Sequence, residues 1–290
     1  PPYELAASWP FPSPNPSTRG PVLLLLPLVF TTLTLLTLSL RLYVRLRLIK
    51  CLYREDHLIV LAGLGAVGLG AVVAHAHTVG WDRHQWDQRL EWFEASELDM
   101  WLVQLFFIVI MAFVKLSTLA LYGRMTVGIS IPYYKIVNRG MILVMIGWGV
   151  GFFTATVFGC WPIEMYWKSR SGDECTNEYV RLAVGTIVNI VTDFVVVLMP
   201  LPIIWKLQRP MREKIILWIL MAVGLIHVRS DVQLRYHLFV PPPLSPTSLL
   251  TTPGLGGLAF AYTVVECNLA IMCTSIPTLR PLAKKYMPKL

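Results

Sequence analysis

Residues 111–122 read MAFVKLSTLALY, an apolar run interrupted by one lysine, Lys115. The run closes the stretch 99–122, the third of seven hydrophobic stretches in a chain of 290 residues. A helix needs about 20 apolar residues to cross a hydrocarbon core of about 30 Å. Stretches 21–40, 57–79, 99–122, 136–160, 180–205 and 256–276 meet that length. The remaining one, sixth in chain order, is 215–228; it has 14 residues, about 21 Å of helix at about 1.5 Å per residue, and barely spans. The pattern predicts an all-α fold, a seven-helix transmembrane bundle.

The basic residues set its orientation. Arg41, Arg45, Arg47, Lys50 and Arg54 follow the first stretch; Arg124, Lys135 and Arg139 follow the third. Lys206, Arg209, Arg212 and Lys214 follow the fifth, and Arg280, Lys284, Lys285 and Lys289 follow the last. These 16 lie in alternate connections, against 7 in the opposite set. By the positive-inside rule the N-terminus is outside and the C-terminus cytoplasmic. The rule requires the short sixth stretch to cross, with Arg229 reaching to the outer interface.

Composition points the same way: 55% of residues are hydrophobic and 14% charged, against roughly 25% charged in soluble domains. The net charge of +8 sits beside hydrophobic ends, which suits anionic lipid and not nucleic acid. The bilayer is therefore the first expected partner. A cytoplasmic signalling partner at the basic loops is the second. Residues 1–20 hold six prolines and lack the basic start of a signal peptide, and they read as a disordered outer tail of a processed or fragmentary chain. The expected organisation is that tail, a membrane domain over 21–282 and a cytoplasmic tail over 283–290. Residues 228–255, rich in Pro, Ser and Thr, read as an atypical loop.

Several segments, in order, resemble the fungal rhodopsin-like integral membrane family that includes the Pth11-type receptor candidates. They are RLYVRLRLIKCLYREDHLIVLA (41–62), VGWDRHQWD (79–87), FVKLSTLALYGRM (113–125), GCWPIEMYWKSRSGDEC (159–175), NIVTDFVVVLMPLPIIWKLQ (189–208) and VVECNLAIMCTSIPTLRPL (264–282). The resemblance implies a seven-helix membrane protein of fungal type, with a receptor role proposed for some members, in the plasma membrane. The chain departs from the pattern at 227–257, as a retained intron or a wrong splice junction would make it. It also lacks the cysteine-rich outer domain of some receptor-like members.

Lys115, Asp193 and Glu266 are the ionisable groups deepest in the stretches, and a charge at mid-bilayer costs at least about 2.5–3.5 kcal/mol unless paired. They lie about 10, 18 and 15 Å from the inner ends of straight helices, so depth prefers Glu266 over Asp193 as the partner of Lys115. Asn189 is one turn from Asp193 and can hold its carboxylate. The group reads either as an interior polar site for an ion or ligand, or as a structural clasp between helices.

The last stretch, 256–276, has no lysine for a retinal Schiff base, so no cofactor is expected. Cys160 and Cys175 flank an outer loop in an oxidising compartment and read as a disulfide or as two interfacial thiols. His75, His77 and His84 cluster near Asp82 and Asp87; lacking a His pair at i, i+4, they suit interfacial hydrogen bonds better than a metal. Without a phosphate loop, a Ser/His/Asp set or a cysteine metal set, an enzyme is not expected. Three functions compete: a receptor-like sensor, a transporter or channel-like protein with a polar path, and a membrane scaffold. Transporters show internal repeats or broken helix pairs, and none is visible.

Overall fold

The computed structural model describes residues 20–83, 89–126, 132–168, 175–200, 255–279 and 281–282. The terminal tails, the short sixth stretch and the atypical loop lie outside the described residues. Six long helices run through the remainder: α1 (Gly20–Tyr43), α2 (Arg54–Thr78), α3 (Phe93–Met125), α4 (Pro132–Val157), α5 (Glu178–Leu198) and α6 (Leu255–Ser275). A single turn, Met165–Lys168, follows α4, and no strand occurs among the described residues. Among the described residues, five helices, α1 to α5, are long and apolar enough to cross a membrane. Lipid forces this plainness, because each backbone N–H and C=O in hydrocarbon must be satisfied inside its own segment.

The outward faces confirm the solvent. Leu64 on α2, Ile136 and Leu143 on α4 and Ile187 on α5 are 65%, 70%, 70% and 60% exposed. A soluble protein would not spread so much apolar surface along three of its helices. Inside, Ile59, Leu69 and Val73 of α2 meet Ile110 and Leu119 of α3, Met145 of α4 and Val264 and Ile271 of α6. Between helices in lipid there is little hydrophobic driving force, so closeness of packing and polar links decide association. Closeness is greatest along α2. A β-carbon added at Gly65 would stand 2.9 Å from Ile110 Cγ1, and one at Gly68 would stand 2.6 Å from Phe106 Cε1. On α4, Gly149 approaches Ala112 of α3, while a β-carbon at Gly147 or Gly151 would meet nothing within 4 Å.

The first helix also runs further than its apolar stretch. It continues past residue 40 to Tyr43 and through a π-helical turn, Val44–Ile49, so Arg41 and Arg45 belong to it and not to a loop. The physical reason is that α2 opens with Glu55 and Asp56, which sit in the favourable field of a helix N-terminus and neutralise both arginines. The chain leaves the π turn at Lys50 with φ +55°, while the Cys51 N–H donates to Arg45 O at 3.1 Å.

Candidate functional site

Lys115 projects from the middle of α3 with only 3% of its side chain exposed. Its ammonium donates to Asn189 Oδ1 at 2.7 Å, to Asn189 O at 3.1 Å and to Thr192 Oγ1 at 2.8 Å. Asp193 Oδ1 lies 3.1 Å away, and the Asn189 amide donates to Asp193 Oδ2 at 3.2 Å. Trp148 of α4 covers the group, its ring centroid 5.3 Å from Nζ. Helical periodicity builds this cage: Asn189, Thr192 and Asp193 are i, i+3 and i+4 on one face of α5. Asp193, ranked second by depth, thus supplies a carboxylate contact to the ammonium. Glu266 is buried on α6, 7% exposed. Thr192 was missed in the sequence because a hydroxyl in an apolar helix ordinarily bonds its own backbone, as this one does to Val188 O at 2.8 Å.

Around Lys115 the helix α3 reaches four neighbours within five residues. Lys115 meets α5; Ser117 Oγ donates to Glu55 O on α2 at 2.8 Å. Thr118 Oγ1 is 3.2 Å from Thr274 Oγ1 on α6, and Leu119 O accepts from Asn138 Nδ2 of α4 at 3.2 Å.

A second charged group, at the basic end of the bundle, joins α1, α2, α3 and α6. Arg41 Nε and Nη2 lie 3.0 and 2.9 Å from Asp56 Oδ1, and Arg45 Nε lies 3.0 Å from Asp56 Oδ2. Glu55 Oε1 receives Arg124 Nη2 at 2.9 Å and Arg45 Nη2 at 3.4 Å. Arg41 also donates to Thr274 O at 3.2 Å. The Tyr53 ring faces Arg45 and Arg124 at 5.0 and 4.0 Å. The sequence held a signal for this cluster: arginines one turn apart, followed 10 to 15 residues later by an acidic pair.

At the opposite end a disulfide joins Cys160 to Cys175, and the Thr176 N–H donates to Gly159 O at 2.7 Å. Arg181 Nη1 donates to Thr156 Oγ1 at 2.6 Å, and Trp101 Nε1 donates to Thr156 O at 3.0 Å. His75 Nδ1 lies 2.9 Å from Asp99 Oδ2, and His77 Nδ1 lies 3.7 Å from Asp82 Oδ2, so the two histidines serve different carboxylates. His84 lies outside the described residues. No group of three metal-ligating side chains occurs among the described residues.

A family model described as the fungal rhodopsin domain matches residues 40–285. The chain belongs to that family. It is an integral membrane protein. Receptor GIN3 of Arthrobotrys oligospora is 26% identical over 242 residues, which is 80% of this chain and 55% of that protein. The polyenoic acids biosynthesis gene cluster protein Ba17b of Metarhizium anisopliae is 32% identical over 39% of this chain and 30% of its own length. A SAT4 family membrane protein of Emericella nidulans is 27% identical over 38% of this chain and 29% of its own length. The chain thus spans between about a third and about half the length of these relatives. No solved structure matches it. The last helix, α6, contains no lysine.

Proposed function

We propose that this protein is a receptor-like sensor without retinal, a seven-helix bundle of the plasma membrane with its N-terminus outside and its C-terminus cytoplasmic. In this reading the cage of Lys115, Asn189 and Asp193, together with the buried Glu266, is the ligand-responsive interior. The bond-making of the protein is conformational and not enzymatic. The observation that carries the proposal is the ion pair of buried Lys115 and half-buried Asp193, 3.1 Å apart. An ion pair held between helices in hydrocarbon is expensive to keep, and such groups mark functional sites. The name of one relative, a receptor, agrees. Orientation rests on the 16 to 7 asymmetry of basic residues.

The proposal gives the interior site a route to the basic end. Ser117, two residues from Lys115, bonds the backbone of Glu55, and Arg124 further along α3 bonds its carboxylate. A change of state in the cage moves α3, and α3 moves the ion cluster. Cys51 is exposed at that end and serves as a labelling site. A bimane fluorophore on Cys51 should report a shifted emission in Asp193→Asn and none in Leu143→Ala, which alters only the lipid face. An unshifted emission in Asp193→Asn would leave a static clasp and no sensor.

A further inference from the structure

The cage on α5 is more specific than a polar spot. Four oxygens of α5, a carboxylate, an amide carbonyl, a backbone carbonyl and a hydroxyl, lie within 3.1 Å of one ammonium nitrogen. An ammonium has three N–H donors and no acceptor. All three are therefore committed, and the charge is neutralised by Asp193. An anionic ligand would have to take an N–H from one of these oxygens and would then stand beside the like charge of Asp193 in a low-dielectric interior. A cationic ligand can replace the ammonium one for one, because three N–H groups again face the same four oxygens and Asp193 keeps a positive partner. The ring of Trp148, 5.3 Å from Nζ, suits a cation on its face for the same reason. Its indole N–H has no hydrogen-bond partner among the described residues, so the aromatic wall has a polar contact to offer a larger guest.

We infer that Asn189, Thr192 and Asp193 form a binding site for a protonated primary amine, which Lys115 fills from α3 until a competing amine displaces it. The inference rests on the interior site of the proposed sensor and names the class of ligand that site accepts. Lys115 acts as a tethered occupant. Tethering gives it a high effective concentration, so a competitor must add contacts, and Trp148 is where it would gain them. Asp193 is 29% exposed against 3% for Lys115.

The test is chemical rescue. Lys115→Ala in the full chain removes three methylenes and the ammonium, the equivalent of n-propylammonium. Adding propylammonium chloride to the detergent-solubilised variant should raise its thermal midpoint by about 4 °C at a concentration roughly tenfold above the dissociation constant. The same salt should leave the wild-type chain and the double variant Lys115→Ala, Asp193→Asn unchanged. Equal stabilisation by n-propanol would show that only a hole is being filled, and stabilisation by propionate would show an anion site; either overturns the inference. If Lys115→Ala is not recovered folded, the yield solubilised with propylammonium is compared with the yield solubilised with n-propanol. A higher yield with the amine supports the inference, and equal yields overturn it. A failed rescue with a responsive Cys51 probe removes the amine and leaves the sensor. A successful rescue with a silent probe keeps the amine site and removes the sensor.

Discussion

The ion cluster at the basic end and the lysine cage in the interior both bury charge, but with different chemistry. The cluster uses three guanidinium groups and two carboxylates drawn from three helices, with the fork of Arg41 wrapped on one oxygen of Asp56. Guanidinium is planar, always charged and weakly hydrated, which suits a permanent lock. The cage uses one ammonium on a flexible stem, held by the Asp193 carboxylate and neutral oxygens of the same helix. An ammonium is a compact charge that any similar cation can imitate. One arrangement fixes helix ends against each other, and the other holds an occupant.

The comparison predicts unequal costs. Asp56→Asn should be the most damaging change, since it strands two arginines that are almost fully buried. About 3–5 kcal/mol of stability should disappear, read as lost folded yield and a lowered thermal midpoint in detergent. A loss below about 1 kcal/mol would mean that water reaches the cluster and that it is no lock. Lys115→Met should cost less, and Asp193→Asn in the same chain should restore part of the loss, a coupling of about 1–2 kcal/mol in a double-mutant cycle. Glu266→Gln in that background should restore nothing. Additivity with Asp193 and coupling with Glu266 would reassign the partner. The smallest effect is a gain: Lys50→Gly should add about 1 kcal/mol, because Lys50 holds a left-handed backbone that glycine adopts without cost. No gain there would show that the exit from α1 relaxes in the bilayer and that the cluster does not impose its geometry on it.

Much of the architecture was legible because in lipid the apolar run and the helix are nearly the same object. The stretches at 57–79 and 256–276 meet α2 and α6 within three residues at each end. The end of the first helix was not legible, since treating arginines as loop residues stops it at residue 40, while Arg41 and Arg45 continue inward to Asp56. In the site, Lys115, Asn189 and Asp193 could be named as a group from depth and spacing. Depth preferred Glu266, whereas Asp193 is the carboxylate 3.1 Å from the ammonium. Depth measures height along an axis and says nothing about which face of a helix a side chain occupies. The role of Gly149 was hidden for the same reason, since Gly147 and Gly151 look equally suited by composition.

The contacts of residues 115 to 119 restrict the motion of α3. Successive residues turn by about 100°, so Lys115, Ser117, Thr118 and Leu119 point around most of a circle, each fastened to a different helix. A rod fastened on four sides at one height cannot tilt there or slide along any one neighbour without loading the other three. Twisting about its own axis is the freedom left to it, and a small twist at that level sweeps Arg124, further along and at the rim of the bundle, through an arc. The stretch that fixes the fold is, mechanically, its pivot.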